Sequence, residues 1–434
     1  MAARVVASAA ILLFVACSGA TRASGDLDGV GPSPVPADPA SSTDSAEGAI
    51  PEPTATAVPT PTPTPPPDDV DPIIRIVAVM GETGVMSPLD GPALAGAIAE
   101  VERINDAGGL LGQRVEVTRI DTNSRLSLAE RLTRRLLRDP PDLLVVSCDV
   151  AFSGPVLEIA DEAGIITVSP CADDIGYSTA SWGARNFAFG APADIRGAIA
   201  ADVAFERYGR TAVVLRDRTS PEALQFCNGF ERAFRELGGT VLYRDEFTFD
   251  TLEPLLDRLA ERGRPSDSVV MCSHVPGFGS TDGAPNVIEQ IRLLGFDAPI
   301  VSGSTLDQAA WFADVPQLGE LTYVSWSSIF GNDPDPAVNT LTQRVNQNAD
   351  TAVAGVSTVL GADSITAWAR AVEAVSSLEP GPVAAAMGAY RDEPFLTGAI
   401  TFASGSRIDS SRTFRVMRVV GSEVEVPELV TVEG

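Results

Sequence analysis

Ile73-Ile74-Arg75-Ile76-Val77-Ala78-Val79-Met80, followed by Gly81-Glu82-Thr83-Gly84-Val85-Met86-Ser87-Pro88, is the stretch that decides the fold. The first eight residues are a nearly unbroken apolar run of strand length, as a parallel strand covered on both faces requires. A glycine-bearing loop follows, and Pro92 then falls where the first turn of a helix tolerates proline. Leu94, Ile98, Val101 and Ile104 recur at three- and four-residue spacing on one helix face, and Gly108-Gly109 closes that helix where left-handed backbone angles are wanted. Strands over 115–120 and 143–147 complete the unit.

The same alternation continues outward. Short apolar or β-branched runs at 165–168, 211–215, 240–243, 268–273 and 299–302 read as strands, and helical patterns fill 128–138, 155–163, 193–208, 221–237, 252–262 and 287–294. Alternating strands and helices demand parallel sheets with helices on both faces and right-handed crossovers. The expected fold class is therefore α/β, with two doubly wound parallel-sheet lobes, since 434 residues exceed one ordinary core.

A hydrophobic fraction of 44% is that of a globular protein. Against 31 Lys and Arg stand 58 Asp and Glu, a formal charge of −27 that repels nucleic acid and anionic lipid headgroups, so nucleic acid is excluded as a partner. The acidity serves solubility or an acidic site for cationic ligands; charge alone does not separate the two.

Residues 1–17 carry Arg4 and then an apolar run over 5–16, too short to span a bilayer, which reads as a secretory signal. Phe14-Val15-Ala16-Cys17 resembles a lipobox, with Phe14 in place of the usual Leu; it implies a diacylglyceryl Cys17 and attachment to the membrane through an N-terminal lipid, two acyl chains being enough to hold a soluble domain. Ordinary cleavage near Ala20 or Ala23, giving a free secreted or periplasmic protein, is the alternative. Residues 18–72 are rich in Gly, Ser, Ala, Asp and Pro, with Thr-Pro alternation leading into three consecutive prolines, and read as a disordered tether.

Four further cysteines sit in what should be an oxidising compartment, and four thiols allow three pairings. Cys148 and Cys171 close successive strands whose loops emerge on one sheet edge, which favours their pairing and leaves Cys227 on a helix with Cys272 at a strand end. Four buried free thiols are the alternative.

Several segments carry a family resemblance. They are Ile104-Asn105-Asp106-Ala107-Gly108-Gly109-Leu110-Leu111-Gly112-Gln113, Ser169-Pro170-Cys171-Ala172-Asp173, Asn186-Phe187-Ala188-Phe189 and Ala399-Ile400-Thr401-Phe402 with Gly405. In order and spacing they resemble the type I periplasmic binding proteins, more narrowly the branched-chain amino acid and amide receptors of ABC transporters. The resemblance covers 73 to about 420. It implies a three-stranded hinge near Phe189, Val324 and Phe395, a first lobe of 73–189 plus 326–394, and a second of 190–325 plus 395–434.

In open α/β sheets ligands bind beyond the carboxyl ends of the strands, beside helix N-termini. The rule alone selects 81–87, 147–153 and 171–174 in the first lobe, and 217–220, 273–275 and 302–307 in the second. Ligand-binding candidates are Ser147, Cys148, Asp149, Phe152, Ser153, Cys171, Asp173, Asp217, His274 and Ser304. By resemblance, 147–152 and 171–173 grip the carboxylate and amino ends of an amino acid, and His274, the only histidine, stands where the receptors often place an aromatic. Ser153 either caps a helix or serves the ligand, and His274 is either a ligand contact or an ordinary structural residue. Phe152, Phe278, Trp326 and Trp182 either line the cleft or fill core. Ser304 replaces the acid that pairs with the ligand ammonium in amino-acid receptors, leaving Asp173, Asp217 or Asp307 to take that part.

No nucleophile elbow, phosphate loop, zinc pair or Cys-x-x-Cys spacing is present, so no enzyme, cofactor or metal is expected. The expectation is an extracytoplasmic receptor that captures a small polar solute, such as an amino acid or amide, in a water-filled gap between lobes and hands it to an ABC transporter permease. A sensor with the same fold feeding a signalling partner is the alternative.

Overall fold

The computed structural model describes residues 72–248, 252–263, 265–273, 283–307, 311–315, 317–348 and 354–431; Cys17, the tether over 18–71, His274 and Phe278 lie outside these. Strands β1 (Ile74–Met80), β2 (Val115–Asp121), β3 (Leu143–Val146), β4 (Thr167–Ser169) and β5 (Asn186–Ala188) form one sheet in the order β2-β1-β3-β4-β5, with every pair parallel. Strands β6 (Thr211–Asp217), β7 (Thr240–Phe247), β8 (Ser268–Cys272), β9 (Ile300–Gly303) and β10 (Glu320–Ser325) repeat that plan as β7-β6-β8-β9-β10, also parallel. The fold is α/β, with two parallel sheets flanked by helices.

Side-chain alternation explains why β1 reads as a continuous apolar run. Ile74, Ile76, Ala78 and Met80 enter the core on one side of the sheet, while Val77 and Val79 enter the core on the other. In β6, Ala212 and Val214 likewise part from Val213 and Leu215.

On the first sheet lie α1 (Ser87–Asp106), α2 (Leu126–Leu136) and α3 (Val150–Ala163); on the second lie α4 (Ala193–Arg207), α5 (Pro221–Glu236), α6 (Leu252–Arg262) and α7 (Ala284–Leu293). Helix α1 starts more than a turn before the expected place, with Pro88 in its first turn and Pro92 inside it. Helix α3 also starts early: Asp149 caps it by accepting from the Ala151 amide (2.8 Å), and Gly154-Pro155 lies within it.

Later in the chain, α8 (Pro336–Asn348), α9 (Ser357–Val375) and α10 (Pro380–Gly388) return to the first sheet, where α9 packs along α1. A short hairpin of β11 (Glu393–Phe395) and β12 (Gly398–Ile400) follows, and then β13 (Thr413–Val420) joins β10 antiparallel, flanked by β14 (Glu423–Val424) and β15 (Glu428–Thr431).

The chain passes between the sheets after β5, after β10 and before β13. The third passage falls later than the expected Phe395. Phe402 packs edge-on against Phe187 and Phe189, the Ala188 amide donates to the Arg407 carbonyl (2.8 Å), and Ile408 is buried in the first sheet's outer core, so the chain stays with that sheet to about Ile408. Because these contacts lie in an aperiodic segment, no sequence pattern marks them.

Glycines permit both helix pairs to approach closely. A Cβ on Gly96 of α1 would lie 1.8 Å from the Thr358 carbonyl oxygen, and one on Gly361 of α9 1.9 Å from that of Ala93. Gly197 of α4 and Gly229 of α5 stand in the same relation, each 2.0 Å from the carbonyls of Phe226 and Asp194. Gly91, also in α1, faces open space. Gly96→Ala should therefore destabilise by roughly 1–3 kcal/mol through overpacking, whereas Gly91→Ala should stabilise by about 0.5–1 kcal/mol from helix propensity. Urea denaturation of both variants checks the opposite signs.

Candidate functional site

The order β2-β1-β3 places a switch point between β1 and β3, where their following loops diverge at the carboxyl edge. Asp90, buried in the first turn of α1, joins those loops: its carboxylate accepts from the Gly81 amide (2.7 Å) and the Cys148 amide (2.9 Å). Burial pushes its carboxyl up to about 6, against the pull of the two amides. A disulfide then ties Cys148 to Cys171 in the loop after β4, with Cα atoms 4.8 Å apart. The second disulfide fixes α5 to the end of β8 through Cys227 and Cys272, Cα atoms 5.9 Å apart. Both pairings favoured by strand order are present.

Across from these loops stand the first turns of α4 and α5 and the turn Ser304–Leu306 after β9. Among the described residues, Arg196 bridges the two sets. Arg196 of α4 is 3% exposed; it donates to Asp173 from the first sheet's loop (2.9 Å), to Glu222 in the first turn of α5 (2.7 Å) and to the Ser304 hydroxyl (2.5 Å). Its guanidinium carbon also lies 5.8 Å from the centre of the Trp326 ring, within cation–π range.

The space beside this bridge is small. Leu89, Cys171, Arg196, Glu222, Ser304 and Trp326 help enclose a cavity of only about 30 Å³. That is room for a water molecule or two, not for an amino acid. Oppositely charged side chains from the two sheets meet at its wall.

A model of the periplasmic binding protein family matches residues 73–423. The chain belongs to that family. Among solved structures it is similar to the branched-chain amino acid transporter binding protein LivJ of Streptococcus pneumoniae, crystallised with isoleucine: TM-score 0.68, 20% identity, 83% of this chain and 100% of that one. Leucine binding protein LivK of Thermotoga maritima gives TM-score 0.67, 18% identity, and 83% and 99% coverage. A solute binding protein of an ABC transporter from Rhodopseudomonas palustris, in complex with 3,4-dihydroxybenzoic acid, gives TM-score 0.69, 13% identity, and 83% and 97% coverage. No curated relative matches the sequence. Family membership makes this an extracytoplasmic binding protein of type I, with a role in solute binding and not catalysis.

The structure of this periplasmic binding protein gathers some of the sequence-picked residues and disperses others. Asp173, Cys171 and Ser304 meet at Arg196. Asp149, besides capping α3, feels the charges of Glu222 and Asp174; burial first, and these charges next, raise its carboxyl above the usual range. Ser147 is buried, its carbonyl accepting from the Ser169 hydroxyl (2.9 Å), and Phe152 packs partly buried against the main core. Ser153 neither caps nor faces the bridge: it sits inside α3 with its hydroxyl on the Asp149 carbonyl (3.0 Å). Asp217 is buried and receives Ser273 (3.0 Å) and Thr219 (2.6 Å), holding the loops after β6 and β8 together. Trp182 donates to Asp174 (3.0 Å).

Arg196, Glu222 and Asp90 went unread because they sit on helices and not in the loops. One signal did mark Arg196: it lies in the first turn of α4, where the helix dipole disfavours a cation. Among the described residues, no cluster of His, Cys, Asp and Glu has the arrangement to hold a metal ion, and no helix is long and apolar enough to cross a membrane.

Asp307 is buried just past Ser304 and accepts from the Tyr323 hydroxyl (2.9 Å) and from Ser325. Burial pushes its carboxyl up to about 7, opposed by these two hydroxyls. A carboxyl raised in the folded state favours folding while protonated, and that contribution is lost as pH climbs from about 4 through about 7. Asp307→Asn mimics the protonated form. Its melting temperature should match wild type near pH 4, exceed it increasingly up to about pH 7, and keep a constant lead above that; thermal melts across that range check it.

Proposed function

We propose that this chain is the solute-binding protein of an ABC transporter, held outside the cytoplasm by a lipid on Cys17, and that it carries a small polar solute to the permease. The solute class is an amino acid, an amide or a related molecule. The observation that carries this reading is the bridge at Arg196, where side chains from the strand-end loops of one sheet meet helix starts and loops of the other. Loops of this kind are where α/β sheets take ligands. Neighbouring structures with isoleucine and with 3,4-dihydroxybenzoic acid support a polar, carboxylate-bearing solute of amino acid size.

In this reading, residues 73–189 with 326 to about 409 form one lobe, and 190–325 with the strands from 413 on form the other. The lobes part about the three passages, admit the solute and close over it, its binding energy selecting the closed state. Ser147, Cys148, Asp149, Phe152, Cys171 and Asp173 serve from the first lobe and Ser304 from the second, joined by Glu222 and Arg196. His274 remains a candidate beyond the described residues.

A thermal-shift screen of amino acids, amides, short peptides and small carboxylates tests the role. A solute at 100 times its dissociation constant should add about 2.7 kcal/mol to stability, and Asp173→Ala should abolish that gain while the protein stays folded. Hydrolysis of a panel member, or the absence of any stabilising solute, would overturn the reading. Cys17→Ser should release the protein from membranes, and its retention there would remove the lipid.

A further inference from the structure

We propose that the half built on the first sheet holds a second ligand site, away from the bridge at Arg196, and that it takes a small organic anion: a carboxylate on a flat apolar body. The site is a cleft of about 580 Å³ between α1, α8, α9 and β11. It does not depend on the solute-binding reading.

Position and size are the first ground. Leu89 of α1 borders the space near Arg196, whereas Ala99 and Arg103 of the same helix border this cleft. They lie three to four turns further on, roughly 15–20 Å along the axis. Pockets for small molecules usually hold roughly 300–1,000 Å³. The cleft falls within that range, and the space near Arg196, at about 30 Å³, does not.

The second ground is what the wall offers a ligand. Two buried carboxylates lie in it, and both are already engaged. Glu100 accepts from Arg103 at both oxygens (2.8 Å each) and from the Thr366 hydroxyl (2.6 Å). Asp363 accepts from the Leu396 amide (3.0 Å) with one oxygen and from the Thr397 amide (2.9 Å) with the other. The Thr340 hydroxyl turns to the Pro336 carbonyl (2.9 Å). Donors are what remain. Among the described residues, Nη1 of Arg103, Nη1 of Arg344, and Nε and Nη2 of Arg370 have no hydrogen-bond partner. A ligand that meets donors has to bring acceptors, and a guanidinium fork matches a carboxylate.

The third ground is that these arginines are weakly held and stand beside apolar surface. The acids paired with Arg344 and Arg370 are Glu102, Asp106 and Glu393, whose side chains are all more than a third exposed. Exposed pairs of this kind contribute little, so they compete poorly with a carboxylate delivered on an apolar body. Leu341, Pro394, Phe395 and Leu396 supply the matching surface, and the guanidinium carbon of Arg370 lies 4.9 Å from the centre of the Phe395 ring. Asp363 fixes the backbone at Leu396 and Thr397, so that wall is formed before any ligand arrives.

Calorimetry on the full-length protein tests this with three probes of one shape and different charge: 2-naphthoate, 2-naphthylmethanol and 2-naphthylmethylamine. The anion should bind at least roughly tenfold more tightly than either of the others. Equal or tighter binding of the alcohol or the amine overturns the proposal. So does no binding of the anion at about 1 mM, a result that would leave the cleft to a protein partner. Arg344→Ala combined with Arg370→Ala removes two guanidiniums from exposed positions. It should weaken the anion at least roughly tenfold and leave the alcohol within roughly twofold. Ala337→Trp, at an exposed position of α8 in the wall, should fill the cleft and weaken anion and alcohol alike. Melting temperatures check that the variants fold, and the arginine pair alone decides if Ala337→Trp does not. Anion affinity unchanged by these substitutions would put the probe elsewhere, the space near Arg196 included, and overturn the proposal.

Discussion

A guanidinium shared between carboxylates of two separate sheets gains most where water is absent, and Arg196 holds that position between the strand-end loops of this molecule. Charges brought out of water are costly unless well paired, and removing one partner leaves the other stranded. Arg196 meets that condition by reaching Asp173, Glu222 and Ser304 at once. The loops that carry these groups are therefore positioned by each other as much as by their own sheets. Below them the main core runs without a break from Ile74 and Leu94 through Phe189, Trp326 and Phe414 to Val214 and Phe230. Polar closure above and apolar continuity below make the two sheets one body in this state.

Much of the fold was legible because strand and helix periodicities are local. The run from Ile73 to Met80 needed no tertiary knowledge to be read as a doubly covered strand, and its two faces do enter two cores. Boundaries were harder where local cues competed. Ser153-Gly154-Pro155 looks like a helix start, yet Asp149, four residues before Ser153, satisfies the amide end and leaves the proline inside the helix. The segment from 395 to 409 has neither period, and its attachment to the first sheet comes from aromatic packing at Phe402 and a carbonyl contact at Arg407, which no spacing announces.

The site divided along the same line. Loops at strand ends were found by a topological rule, and through them Asp173, Cys171 and Ser304. Asp90 and Glu222 were hidden by ordinariness, since acids in the first turn of a helix are common for dipole reasons alone. Arg196 was the opposite case, a cation in the first turn of a helix, and its partners come from three separate segments that no local spacing links. Asp307 shows the limit of the rule: it lies past a strand end, but it accepts from Tyr323 and Ser325 of a neighbouring strand of the second sheet.

Both crosslinks fall within a half and neither spans the gap. Cys148 and Cys171 brace the loops around Asp149 and Asp173, while Cys227 and Cys272 brace the helix that starts beside Glu222. Each half is thus stiffened covalently, and among the described residues no disulfide joins the two. Without these two bonds, packing and hydrogen bonds alone would hold those loops and that helix in place. Such bonds form and persist outside the cytoplasm, so the bracing is completed in the compartment to which the family belongs.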